Sequence, residues 1–280
     1  MKRFVTSLFL WWTLLSLPEI ENVVKGEEKQ ENPAQESAYV RSIRSVNPVP
    51  VCPSVLEPTY PRDCEEIQLT SASRLPSGIY EIQPFGSTSP FNVYCDFDID
   101  NGGWTVIQRR VDGSVDFNRG WSDYKDGFGC LQSEFWLGNE KIVALTRQRE
   151  YQLRIELTAK EGRPAHAKYS YFRLGDENAH YRLFLGTYSG NSGGQDSLDH
   201  HREMMFTTTD ADHDDASERN CANTHGGGWW FGNCDHSNLN GNYGVDDEAG
   251  IEWYYHPGGS YDLKFSEMKI RAISVHSSNN

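Results

Sequence analysis

The run DADHDDASERNCANTHGGGWWFGNCDHSNLNGNY, spanning Asp210 to Tyr243, constrains this protein more than any other stretch. Asp, Asn and Gly favour turns and oppose long helices and strands. A long segment without regular structure needs another source of order, and the sequence offers two. The first is acidic: Asp210, Asp212 and Asp214 alternate, with Asp215 and Glu218 behind them. Crowded carboxylates repel one another, and a hard cation relieves the repulsion. Calcium suits such a loop because it takes about six to eight oxygen ligands in a flexible geometry. The loop is not an EF-hand, since the required Gly and closing Glu are absent. A solvated acidic turn is the alternative; zinc at His213 fits less well, because zinc prefers tetrahedral His and Cys sets. The second source of order is Cys221 with Cys234, which enclose Trp229 and Trp230. Free thiols or a shared metal are alternatives. The spacing is too long for a C-x-x-C knuckle, which favours a disulfide worth about 3 kcal/mol in the chain-entropy model.

Lys2 and Arg3 precede a mostly apolar run from Phe4 to Leu17. Residues 1–17 read as a secretory signal without a clear small-x-small cleavage site, too short for the roughly 20 residues that span a bilayer; an uncleaved membrane anchor is the competing reading. This predicts a secreted, extracellular protein in which disulfides persist. Residues 18–61 read as a disordered polar linker: GEEKQENPAQES has little to bury, and NPVPVCP favours extended backbone. The linker has neither a Gly-X-Y repeat nor a sustained heptad. A formal charge of -14 argues against nucleic acid and against anionic membrane surfaces, and no stretch predicts membrane insertion. The globular region runs from 62 to 274, followed by a tail at 275–280. Within it, Tyr94–Asp98, Thr105–Arg109, Tyr151–Leu157, Lys168–Leu174 and Arg182–Tyr188 alternate as strands do, and Asn139–Arg147 has helical spacing. The fold class is α+β with an antiparallel sheet and loop-rich ends.

GGWWFGNCDHSNLNGNY, with the acidic loop before it, resembles the fibrinogen C-terminal domain family, which includes ficolins, tachylectins and angiopoietin-like proteins. LPSGIYEIQP, VYCDF, GGWTVIQRR, FNRGWSDYKDGFG, EFWLGNEKI and SEMKIR occur in the family's order. The resemblance covers about Arg62 to Ser274. It implies a central sheet to which Ser266–Ile273 returns, and a loop-rich subregion carrying calcium and ligand sites. It also implies the pairings Cys64–Cys95 and Cys221–Cys234. Cys52 and Cys130 are left over; they pair with each other within one molecule, or Cys52 links a disulfide-bonded homo-oligomer.

By position, the resemblance makes Asp212 and Asp214 the calcium carboxylates, with backbone carbonyls near Ala216 and Glu218 completing the shell. It puts a ligand pocket beside the cystine, reached by a cis peptide at Asn233-Cys234. Relatives that recognise acetyl groups line this pocket with aromatics and a His. Here those places hold His225, Asp235, Asp247 and a Gly-Ser stretch before Tyr261, and His236 sits one place late. The set is more polar and acidic than an acetyl cup. Trp229, Trp230, Asn238 and Asn240 are expected to fold the loop rather than bind, and His200, His201 and His213 to lie on the surface. The sequence has neither an H-E-x-x-H nor a P-loop, and its cysteines are committed, so it reads as non-catalytic. The first functional expectation is a calcium-dependent, lectin-like pattern-recognition protein of innate immunity that binds a glycan or another acetylated or charged ligand. The second is a signalling or adhesion ligand for a cell-surface receptor.

Overall fold

The computed structural model describes residues 60–258 and 263–273. The signal, most of the linker, Cys52, Tyr261 and the tail lie outside the described residues. The described region opens with α1, Cys64–Thr70, whose N-cap Asp63 accepts the Glu66 amide at 2.9 Å. Asp63 also pairs with Arg149 at 2.5 Å and accepts the Tyr151 hydroxyl, so one buried carboxylate joins the first helix to the middle of the sequence. A sheet then builds outward in an order that is not sequential. Its strands are β1 (Gly78–Ile82), β2 (Phe91–Asp96), β3 (Trp104–Arg110), the two-residue β4 (Phe128–Gly129) and β5 (Phe135–Trp136), β6 (Tyr151–Ala159), β7 (Pro164–Leu174), β8 (Leu183–Leu185) and β9 (Tyr188–Gly190). Short β10 (Ser237–Asn238) and β11 (Glu252–Trp253) pair apart from it, and β12 (Leu263–Ala272) returns to the large sheet. The main path is β1-β2-β3-β12-β6-β7-β8, and every pairing in it is antiparallel. Between β3 and β5 lies α2, Trp121–Asp126; α3, Asn139–Gln148, buries Ile142, Val143 and Leu145 as its spacing predicts.

The strict alternation of β6 puts Tyr151, Leu153, Ile155, Leu157 and Ala159 in the core. Every residue of β3 is buried, because loops cover one of its faces. β12 carries a charged network into that interior. Lys269 Nζ, itself fully buried, reaches Asp96 Oδ2 at 2.6 Å and Glu267 Oε1 at 2.7 Å, and Glu267 Oε2 accepts from Arg109 Nε at 2.5 Å. Each buried charge has a partner, as burial requires.

Two strand expectations need correction. The second strand stops at Asp96 rather than Asp98, because the Asp96 carboxylate accepts the Asp98 amide at 2.9 Å and turns the backbone. Arg182–Tyr188 is not one strand. Gly186 breaks it, packed so close to Ser170 that a Cβ there would sit 2.3 Å from the Ser170 hydroxyl. Cys64–Cys95 and Cys221–Cys234 are both bonded. Cys130 is exposed and bonded to no described residue, and its pairing with Cys52 falls outside the described residues.

Candidate functional site

The loop-rich end spans residues 207–258 and is held by side-chain amides where backbone ladders are scarce. From β3, Gln108 Nε2 donates to Leu239 O at 2.8 Å, and Arg110 Nη1 donates to Gly241 O at 2.7 Å. Asn238 Nδ2 donates to His225 O and Gly226 O, and Asn240 Nδ2 donates to Gly228 O. Trp229, Trp230, Asn238 and Asn240 are all fully buried, so they fold the loop, as expected. His201 does not lie on the surface. It is fully buried, its Nδ1–H donates to Trp230 O at 2.7 Å, and its Nε2 accepts the amides of His236 at 3.2 Å and Ser237 at 3.1 Å. Burial pushes this imidazole down to about 3, so it is neutral. Sequence reasoning missed it because all three partners are distant along the sequence.

The acidic loop divides into two parts. Asp210 is engaged elsewhere: it accepts the Trp121 amide at 2.8 Å at the start of α2 and the Thr208 hydroxyl at 2.6 Å. Asp212 and Asp214 stay together. Asp214 accepts Ala216 N at 2.8 Å and Cys221 N at 2.7 Å, while Asp212 Oδ1 accepts Asp214 N at 3.3 Å. Burial first, and then the facing Asp212 carboxyl, raise the Asp214 carboxyl above its usual range. Two carboxyls held this way fit a calcium ion, whose charge would relieve both penalties. Glu218 is exposed, and Ala216 is tied to Asp214 through its own amide.

Beside the cystine lies a cavity of about 310 Å³, lined by Arg219, His225, Cys234, Asp235, His236, Glu248, Glu252 and Tyr254. The last helix, α4 (Cys221–His225), brings His225 there. The cis peptide at Asn233-Cys234 precedes Asp235, and β11 supplies Glu252. His225 Nδ1–H donates to Glu248 O at 2.9 Å and lies 3.3 Å from Asp235 Oδ1. Burial pushes the Asp235 carboxyl up to about 8, reinforced by Glu252 and then Glu248. Burial also pushes His225 down. The 3.3 Å contact is therefore not an ion pair, since burial disfavours both charges. Above this floor, the His236 ring stacks on Tyr254 with centroids 5.3 Å apart.

His225, Cys234, Asp235 and His236 thus gather where expected. Asn233 and Asp247 do not line the cavity. Asp247 is exposed and spends its Oδ1 on the Ala249 amide at 2.9 Å, so its carboxylate turns the loop. Glu248 and Glu252 take its place. Tyr261 lies outside the described residues. The legible signal for Glu252 was a charged residue inside the apolar run GIEW. A further motif, G-x-S-x-G at Gly190–Gly194, matches a hydrolase elbow by spacing. Ser192 there is fully buried, with its hydroxyl 3.1 Å from that of Tyr188. A nucleophile needs an exposed hydroxyl beside a base.

The family model for the C-terminal globular domain of the fibrinogen beta and gamma chains matches residues 60–273. Fibrinogen-like protein A of Apostichopus parvimensis is 48% identical over 231 residues, covering 80% of each protein. Human angiopoietin-4 is 46% identical over 219 residues, covering 76% of this protein but 43% of its own length. Several other curated relatives are likewise matched over less than half their length. Among solved structures, the fibrinogen-like globe domain of human ANGPTL2 superposes with a TM-score of 0.70 at 44% identity, covering 76% of this protein and 99% of that one.

Proposed function

Because the protein belongs to the family of the fibrinogen C-terminal globular domain, whose members bind ligands rather than transform them, we propose that it is a secreted ligand for a cell-surface protein receptor. The docking face is the one around the cystine-flanked cleft. The observation that carries this reading is the lining: carboxyl and imidazole groups stand where an acetyl-binding site needs an apolar cup. A methyl group gains nothing from such walls, because polar groups facing it lose water without compensation. At the rim, Glu248 and the nearby Asp247 are exposed, and the protein as a whole is strongly acidic. Charge of one sign steers a partner of the other sign and sets register more than affinity. The receptor surface is therefore basic, and its association slows as salt rises. Similarity to an angiopoietin supports the same branch of the family. The two disulfides favour an extracellular setting. Among the described residues no helix is long and apolar enough to cross a membrane.

Calcium at Asp212 and Asp214 belongs to this reading. The ion supplies charge that fixes the loop, and the Cys221 amide on Asp214 ties the loop to the cystine and so to the cleft. A glycan ligand is the second reading, favoured by the exposed Tyr254 ring, which offers a flat face to a sugar. Binding to whole cells and to a glycan array, each with and without calcium, separates the two. Saturable cell binding, salt-sensitive and reduced by Glu248→Lys, with no glycan signal is the expected result. Calcium-dependent binding to glycans alone would overturn it.

A further inference from the structure

The floor of the cleft carries chemistry that receptor docking does not use. His225, Asp235 and Glu252 each place a ligand atom so that the three lie within 4.8 Å of one another. The side chains of His225 and Asp235 are 9% and 3% exposed, and Glu252 is 2% exposed. The Oδ2 atom of Asp235 is buried and receives no N–H or hydroxyl hydrogen; its carboxyl faces a second carboxyl, that of Glu252, at the cavity wall. Two facing buried carboxyls beside an imidazole nitrogen, with no cationic side chain among the described residues lining the cavity but Arg219, together mark a site for a cation.

We propose that His225, Asp235 and Glu252 form a binding site for a zinc-class divalent ion, separate from the acidic loop at Asp212 and Asp214. The donor set selects the metal: an imidazole nitrogen with two carboxylates suits zinc, whereas calcium takes oxygen alone. The Asp235 carboxyl releases its proton to solvent as the ion enters, and the two carboxylates then neutralise the ion's double charge. Zinc holds nitrogen and oxygen ligands at about 2.0–2.2 Å, which sets neighbouring ligands of a tetrahedron roughly 3.4 Å apart. The Nδ1 to Asp235 Oδ1 separation of 3.3 Å already matches that edge. On binding, the imidazole proton moves from Nδ1 to Nε2 and frees the Nδ1 lone pair, and Glu248 O gives up that donor. Three protein ligands leave a fourth position, and the cavity of about 310 Å³ gives it room for water or a donor group from a partner.

The ligands are held before the metal arrives. His225 ends the helix that begins at Cys221, and Asp235 follows Cys234, so the cystine tethers two of the three. Glu252 is fixed by the pairing of β11 with β10, opposite Asn238. That asparagine in turn donates to the carbonyl of His225, so two ligand-bearing segments meet at one side chain.

The test titrates the full secreted protein with zinc by calorimetry, and with cobalt by visible absorption, in excess calcium that keeps the acidic loop filled. The expected result is one ion per molecule, with cobalt bands of a four- or five-coordinate site. Asp235→Asn and Glu252→Gln should each weaken zinc by more than the roughly 10- to 100-fold that loss of an outer-shell partner costs. Both should leave calcium-dependent stabilisation intact. If either variant fails to fold, the other decides. Absence of stoichiometric zinc, or binding that survives the folded carboxyl variant but disappears on His200→Ala or His236→Ala, overturns the proposal. The titration uses metal alone, so its failure leaves the receptor reading standing, and the reverse holds too.

Discussion

Replacing His201 with glutamine tests how the loop-rich end is held. The wild-type imidazole serves three backbone groups: it donates to Trp230 O and accepts from the amides of His236 and Ser237. Only the neutral tautomer protonated on Nδ1 satisfies all three. Burial lowers this group to about 3 in the fold, against about 6.5 in the unfolded state. Between those values the unfolded state binds one more proton than the folded one. The stabilisation is therefore complete above about pH 6.5 and is lost as pH falls, by up to about 1.4 kcal/mol per unit. From pH 6.5 to 4.5 the loss is about 2–3 kcal/mol, or roughly 5–10 °C in Tm for a domain of this size. In His201→Gln the side-chain oxygen keeps the acceptor, but Trp230 O loses its donor, at a cost of about 1–3 kcal/mol. Glutamine does not titrate. Thermal and urea unfolding of both proteins from pH 7.5 to 4.5 should show the wild type clearly more stable at neutral pH and the gap closing in acid. Other histidines lowered by burial, such as His200 and His225, contribute equally to both curves and cancel. A gap of constant size across that range would refute the argument.

Three further outcomes are expected. Cys221→Ser with Cys234→Ser should cost about 3 kcal/mol in denaturant unfolding and abolish docking at the cleft; unchanged receptor binding would separate the cystine from the site. Glu134 is fully buried, and its carboxylate accepts the amides of Val111, Asp112, Gly113 and Val115. Glu134→Ala leaves these donors unpaired and takes from the buried Arg110 its facing carboxylate, and urea titration should show a loss of about 3–5 kcal/mol. Calcium at about 100 times its Kd should stabilise the protein by about 2.7 kcal/mol, read as a Tm shift that Asp214→Asn removes. Asp210→Ala should keep that shift while lowering the baseline Tm, since Asp210 serves Trp121 rather than the ion; equal loss in both variants would put Asp210 in the ion's shell.

Local pattern carried much of the fold into the sequence. Strand β6 and helix α3 are visible because burial there follows a strict period of two and a helical face. The cystine around the tryptophans is visible because a loop without regular structure needs a clasp. What stayed hidden depends on distant segments. His201 looks like a surface residue until Trp230, His236 and Ser237, between 29 and 36 residues away, close over it. The parity of the turn after Tyr243 could not be read either: one residue's difference decides whether Asp247 or Glu248 faces the cleft. Asp210 shares the alternation of Asp212 and Asp214, yet α2 claims it, and nothing near it in sequence announces that helix start.

Strand β12 sits between β3 and β6, so the middle of the sheet is made by the last of the described strands. During synthesis the ribosome delivers β3 and β6 long before the strand that joins them. Until then two hydrogen-bonding edges stand open, and each is a template for a stray strand. A nascent polypeptide of this kind keeps both edges exposed until β12 emerges, and truncation ahead of β12 leaves two half-sheets rather than a shortened domain.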